Sequence, residues 1–509
     1  MRKASITPFC ALSLMLVASL VLALLESARF YGLNRYVSMK ADAAIDSVCA
    51  EYQPFLWQQY GLLFLDGTYG TGTFSTEYAL ERMEYYMERN RVKENWFTDW
   101  FGLDLFQLKK EEVLLEGYAL AADDAGELFL NYIAQRTKEE MPIGIAEELL
   151  LQYQKTMSLE AEYGSVEDLV KEAQDTVVQE KTEWIERSKE EDASMSGGRQ
   201  SGDKEMENFL DTTVIDNVLN MVQQLRSEST IQMIFGGKAD VGALAYSMEE
   251  SMQKRKKEEG TMQLKGESDW YRKLLVLNYL ESYFSNYKNS KEGRLLRCEM
   301  EYVVCGADTE EKNLAGVLER MLLLREAANL AHIFANENKM EQIETVAGAI
   351  GVLSGGDYAV VKIVELGLAA VWAYAESVLD VRALVQGDVI PLIKQETEWT
   401  LEFGEMFRVY DTSVKAKMCS VGLCYTDYLK QLLFFMPDQD LAYRMLEIME
   451  LGLQSRTEFK NCRMDYMLVM LRFKTKWKSV PVFSELITIG DMYQEKYIFS
   501  KEIERSYIP

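Results

Sequence analysis

The sequence predicts a mainly α-helical protein with a small antiparallel β-sheet, an α+β fold. One long N-terminal helix would serve first as membrane anchor and then as stalk, in a pilin-like layout. Three observations carry that expectation. Residues 4–25 contain no charge, and a one-sided apolar pattern runs on behind them. The 509 residues include only 7 prolines, so little interrupts long helices in a chain rich in Glu, Lys, Leu, Met and Ala. Three later segments alternate with a period of two, the signature of half-buried strands.

The uncharged run ASITPFCALSLMLVASLVLALL lies between Lys3 and Glu26 and holds 22 residues. As a helix it extends about 33 Å, against a hydrocarbon core of about 30 Å. Thr7 and Pro8 suit the N-cap and first helical position. The run is longer than a signal-peptide core, and Glu26 would occupy the −3 position if cleavage followed Ala28. Cys10 lies near the start of the apolar run instead of following it, unlike a lipoprotein cysteine. The reading is therefore a cytoplasmic tail at 1–5 and an uncleaved anchor at 6–28, with the lipid bilayer as partner. Arg2 and Lys3 on so short a tail place the N-terminus inside and the body outside the cytoplasmic membrane.

Charge divides the same way. Residues 1–40 carry Arg2, Lys3, Arg29, Arg35 and Lys40 against Glu26, a sum of +5 − 1 = +4. The whole chain is −26, so the remainder is −26 − 4 = −30. The basic end suits anionic lipid, and so acidic a body is a poor partner for nucleic acid.

Behind the anchor, Phe30, Leu33, Val37, Ala41, Ala44, Val48, Tyr52 and Phe55 recur at steps of three and four. This predicts an amphipathic stalk over 29–60, bending near Pro54 and stopping at Gly61. Glu26 and Arg29, at i,i+3, are expected to form a local pair at the membrane edge.

Residues 61–185 are expected to be helical after the turn DGTYGTGTF. Asp66 and Glu77 match the first and twelfth positions of a calcium loop, but Thr68, Gly70 and Thr71 replace its middle acids and turn glycine, which leaves an ordinary turn. Residues 186–269 form a linker-rich segment with polar, mixed-charge stretches at 186–208 and 249–269. Residues 270–509 read as an α+β domain, with strands near 296–305, 466–477 and 497–507. In the first, Leu296, Cys298, Met300, Tyr302 and Val304 alternate with Arg297, Glu299 and Glu301. In the second, Met467, Val469, Leu471, Phe473 and Trp477 share a parity, and in the third Tyr497, Phe499, Ile503 and Tyr507 do. Helices at 312–338 and 357–386 lie between the first strand and the others.

Little in this composition suggests catalysis. The sequence has one histidine, His332, and no CxxC among its 7 cysteines, so no zinc or redox motif is present and no catalytic, cofactor or metal residues are assigned. One polar constellation stands out. Glu376 and Asp380 lie at i,i+4 in an otherwise apolar helix, and the preceding helix offers Arg325 and Asn329, also at i,i+4. Like charges on a buried face require neutralisation. The two helices are therefore expected to pack antiparallel, with Arg325 bridging toward Glu376 or Asp380. The alternative is an acid and nucleophile pair of a carboxylate-dependent hydrolase, which needs an open cleft.

The N-terminal SITPFCALSLMLVASLVLALLESARF resembles the anchors of TadE/TadG-like proteins of the tight-adherence pilus system. The segments AEYQPFLWQQYGLLFLD, LLLREAANL, WAYAESVLDVRALVQGDVIPLIK and GLCYTDYLKQLLFFMP resemble a clostridial family of membrane-anchored proteins whose domain has no known function. The resemblance implies a non-catalytic surface protein, a pseudopilin-like or accessory component of a Tad-type pilus assembly or adhesion system, with other pilus or surface assembly proteins as partners. An outward-facing adhesin or ligand-binding module is a further alternative. One departure is clear. Prepilin cleavage after Ala4 would put Phe9, not Glu, at the fifth mature position, so the N-terminus is expected to stay unprocessed.

Overall fold

The computed structural model describes residues 6–89, 106–138, 143–163, 229–242, 246, 251–262, 269–353, 358–483 and 496–508. The expected tail at 1–5 and the polar stretch at 186–208 lie outside the described residues. In chain order the helices are α1 (Ile6–Cys49), α2 (Pro54–Tyr60), α3 (Thr76–Arg89), α4 (Glu127–Thr137), α5 (Ile143–Tyr163), α6 (Thr230–Phe235), α7 (Trp270–Tyr283) and α8 (Glu299–Cys305). They continue with α9 (Glu310–Ala335), α10 (Glu337–Leu353), α11 (Tyr358–Gln386), α12 (Tyr425–Phe434) and α13 (Asp438–Gln454). Four strands, β1 (Leu65–Asp66), β2 (Lys109–Leu120), β3 (Met467–Ser479) and β4 (Tyr497–Ser506), form one antiparallel sheet. The fold is mainly α with a small antiparallel sheet.

The chain makes two compact units. The sheet unit comprises Met1–Arg136, Glu250–Ser268 and Ala442–Pro509, and the helical unit comprises Thr137–Glu249 and Asp269–Leu441. The expectation of consecutive blocks at 61–185, 186–269 and 270–509 is corrected here, because β2 from the first block pairs with β3 from the last.

In the sheet unit, α1 is one continuous helix of 44 residues. From Ile6 to Leu25 its large apolar side chains are exposed, apart from a half-buried Leu22, and beyond that Leu33, Val37, Ala41, Ala44, Ile45 and Val48 are fully buried. These six follow the three-and-four spacing of one helix face. Pro54 opens α2, and Gly61 caps it in the left-handed conformation, φ 64°. In the turn that follows, Asp66 accepts hydrogen bonds from the Thr68 amide and hydroxyl and the Gly70 amide, so its carboxylate closes the turn itself.

Strand β3 is the centre of the sheet. Leu468 faces Leu120 of β2 across one edge and Leu65 of β1 across the other, and β4 continues along the β1 edge from Ser506 opposite Met470 to Tyr497 opposite Ser479. One sheet face, with Val113, Phe473, Trp477, Phe499 and Ile503, packs with the buried stripe of α1 and with Met83 and Met87 of α3. The other face is charged. Arg472 pairs with Glu504, Lys474 with Glu116 and Glu502, and Lys476 with Glu112.

Two local expectations are corrected. The region 61–185 is not wholly helical, because residues 109–120 are a strand whose KKEEVLL composition favours helix and whose alternation is broken by an outward-facing Leu114. The expected strand near 296–305 is instead helix α8, at Glu299–Cys305. Its glutamates point inward, so their alternation does not mark a solvent face. The Glu299 carboxylate accepts from the Ser285 amide, and Glu301 accepts from the Tyr287 amide and the Tyr425 hydroxyl.

In the helical unit, α11 is the buried centre. Its side chains are buried from Ile363 to Val385, apart from a half-buried Leu366, and Gly387 ends it at φ 108°. Antiparallel packing of α9 on α11 follows from their partners. Arg325 meets Asp380, while Asn329, one turn later, meets Ser377, one turn earlier.

Candidate functional site

The structure contains two buried ionic sites at the positions singled out from the sequence. The first lies in the sheet unit, where the exposed part of α1 ends. Arg29 Nη1 donates to Glu26 Oε1 at 2.8 Å. Arg29 Nη2 also donates to the Phe106 carbonyl at 2.8 Å and the Ser479 hydroxyl at 2.7 Å. Glu26 Oε2 accepts from the amides of Val482 and Phe483, at 3.0 and 2.7 Å. Both side chains are buried. The expected local pair is thus a clamp that fastens the start of β2 and the end of β3 to the helix. The sequence spacing showed the pair but not the four backbone and hydroxyl groups that complete it, because those come from residues more than seventy positions away.

The second site lies in the helical unit. Arg325 Nε donates to Asp380 Oδ2 at 3.0 Å, and Asn329 Nδ2 donates to the same oxygen at 3.1 Å and to Ser377 Oγ at 2.9 Å. Arg325 Nη2 donates to Asn329 Oδ1, and Nη1 to the carbonyls of Pro391 and Leu392 and to the Tyr428 hydroxyl. Arg325 therefore reaches Asp380 and not Glu376. Glu376 is held by Lys394, together with the amides of Thr400 and Leu401 at 2.9 Å each. Lys394 Nζ also lies 2.5 Å from Asp380 Oδ1, an ion pair off the hydrogen-bonding direction.

Two cations and two carboxylates balance, and all four side chains are fully buried. Burial opposes ionisation of Asp380, but Lys394 and Arg325 outweigh it and hold the carboxyl below its ordinary range. Burial likewise opposes charge on Lys394, and Asp380 and Glu376 outweigh it and hold the ammonium above its ordinary value. The cluster joins α9 and α11 to the segment 390–401, where the indoles of Trp372 and Trp399 both donate to the Leu401 carbonyl. Lys394 was missed from the sequence, although one signal was present. Two carboxylates on an apolar helix call for two cations, and Arg325 supplies only one.

Other chemistry-bearing residues are tied into the packing. His332 stacks on Trp399, with ring centroids 4.9 Å apart, and faces Glu396. None of the seven cysteines forms a disulfide.

The fold and these sites define an α+β protein with one N-terminal helix long and apolar enough to cross a membrane, and with a closed, charge-balanced helical core. Residues 210–479 match a family of unknown function, DUF5702, and the chain belongs to that family. The apolar helix α1 lies outside the matched residues. No curated protein and no solved structure matches the chain.

Proposed function

We propose that the chain is a non-catalytic, single-pass membrane protein whose body stands outside the cytoplasmic membrane, and that it serves as a pseudopilin-like or accessory component of a Tad-type pilus assembly or adhesion system. The observation that carries this reading is the division of α1. Its first half is apolar all round and exposed, and its second half packs one face on an antiparallel sheet. That is the layout of a subunit held in a membrane by half a helix. The TadE/TadG-like character of residues 5–30 supports the pilus assignment. Against the hydrolase alternative stands the burial of Glu376 and Asp380, which leaves no room for a sugar between them.

The test is in-cell photo-crosslinking of the full chain, with the crosslinker at Leu16 in the apolar half and at Lys474 on the charged sheet face. Crosslinks from Leu16 to other small anchored subunits of a pilus machine are expected. Crosslinks at neither position to any such subunit, in cells that assemble the pilus, would remove the pilus assignment and leave only an anchored protein.

A further inference from the structure

The charged face of the sheet loses its balance at one end. Along β3, Arg472, Lys474 and Lys476 each meet a glutamate on a neighbouring strand. At the next outward position Lys478 again meets a glutamate on β2, Glu111, but the charge beside it is no longer balanced. Its cross-strand neighbour on β2 is Lys109, and like charges directly opposite repel. Lys496 stands just before β4, two residues from Ile498, which is the neighbour of Lys478 on the other side. Glu111 is, among the described residues, the one carboxylate ion-paired with any of these three lysines, and it holds Lys478. Among the described residues, the side chains of Lys109 and Lys496 have no ion pair. Lys110 is taken up by Glu84 and Glu88 at 3.1 and 3.5 Å.

Lys109, Lys478 and Lys496 surround a cavity of about 530 Å³ that is also lined by Glu111, which the Lys478 ammonium already holds, and by Ser479 and Val480. Its position within the sheet unit is informative. Ser479 accepts the hydrogen bond from Arg29, the residue at which α1 turns from exposed to buried. Tyr31, two residues after Arg29, is 69% exposed, and an exposed tyrosine suits the boundary between lipid and water.

We infer that this cavity binds a phosphate-bearing anion, the headgroup of an anionic phospholipid, beside the point where α1 leaves the sheet. The inference rests on the membrane-anchor reading for its source of ligand, but not for its chemistry. In an acidic body, two lysines without an ion pair, Lys109 held opposite Lys478 and Lys496 beside it, are a site that an external phosphate would neutralise. A phosphodiester would sit between Lys109, Lys478 and Lys496, with its acyl chains running alongside the exposed half of α1. The site operates on either leaflet, so it does not depend on orientation.

The experiment uses the full-length chain in nanodiscs of phosphatidylcholine alone or mixed with phosphatidylglycerol, with retained lipid measured by native mass spectrometry. Preferential retention of phosphatidylglycerol is expected. Lys109→Gln with Lys496→Gln should weaken that preference roughly 25-fold, about fivefold for each lysine near an anionic surface. Lys474→Gln, in the balanced part of the same face, should leave it unchanged. Adding glycerol 3-phosphate to the phosphatidylcholine discs separates the sources. Weak or no binding assigns the site to a lipid headgroup, and tight binding supports a phosphate site filled from solution. No preference for phosphatidylglycerol together with no glycerol 3-phosphate binding, or a preference that survives the double substitution, overturns the inference. If the chain does not enter phosphatidylcholine discs at all, it is the anchor reading that has failed. Glycerol 3-phosphate binding by the chain in solution, lost or not lost in the double variant, then still decides the cavity.

Discussion

The two halves of α1 are joined without a break and are both rich in apolar residues, yet their surroundings are opposite. Leu12, Leu14 and Leu16 are 68–71% exposed, whereas Leu33, Val37 and Ile45 are fully buried. The pattern, more than the hydrophobicity, separates them. The second half presents one stripe, with Asp42, Asp46 and Arg35 off it, and a sheet can cover a stripe. The first half is apolar on every side, and no single protein surface covers a whole helix circumference. A bilayer does so for about 20 residues. The Glu26–Arg29 clamp stands where one regime gives way to the other.

The comparison is broken most severely by placing the same charge in each half. Val37→Asp buries an unpaired carboxylate against the sheet and should cost about 4 kcal/mol or more, enough to unfold the sheet unit. Leu16→Asp should leave the melting of the body unchanged and instead weaken insertion, by about 2.5–3.5 kcal/mol for a charge at the centre of a spanning helix. Thermal denaturation and membrane flotation of both variants separate these effects. Equal loss of melting temperature would mean that both halves are packed in the same way.

A buried charge is tolerated where its partners are complete, as in the helical unit. Lys394→Met should destabilise by about 3–5 kcal/mol, because Glu376 and Asp380 are left with one cation. Glu376→Gln should also destabilise, and the pair together by less than the sum. Denaturant unfolding of the single and double variants checks this. Additive losses would show that the two side chains do not act as a unit, and a Glu376→Gln chain with full stability but a lost hydrolytic activity would restore the enzyme alternative.

At the junction the effect is smaller. Arg29→Met strands Glu26 but leaves it the two amides of Val482 and Phe483, so the expected loss is about 2 kcal/mol. Adding Glu26→Gln should recover part of it. If the unfolding midpoint of the full chain in detergent does not move, the clamp is not what holds the sheet to the helix.

The mildest effect is a pH dependence. Burial pushes the Glu301 carboxyl up from an ordinary 4.5 to about 7, only partly opposed by hydrogen bonds from Tyr287 and Tyr425. The folded chain thus holds this proton more tightly than the unfolded chain does. The associated stability is present below about pH 4.5 and is lost as pH rises through about 7. Glu301→Gln should flatten that part of the stability profile, and an unchanged slope would contradict the assignment.

These sites differ in how far they could be read beforehand. The shared parity of Met467, Phe473 and Trp477 marks β3 because one sheet face meets the core and the other meets water. The division of α1 is equally visible, since both an unbroken apolar run and a stripe are local patterns. Helix α8 is not readable in this way. It is buried on all sides, so its glutamates sit among backbone amides instead of solvent. Strand β2 depends on a partner some 350 residues away, and its own composition favours helix. Arg325 and Asp380 were visible as charges stranded on apolar faces, whereas Lys394 lies in an irregular segment that no periodicity describes.

The central claim is that residues 6–25 of α1 lie in a bilayer with the body outside. Leu16 stands ten residues into the helix, about 15 Å along it and so near the middle of a hydrocarbon core about 30 Å thick. A Leu16→Cys chain in wall-stripped cells would be treated with a polar, membrane-impermeant maleimide, and labelling would be read peptide by peptide. The account predicts rapid labelling of Cys419 in the body from outside and none at position 16. Labelling at position 16 as fast as at Cys419, or labelling of Cys419 only after the cells are permeabilised, would contradict it.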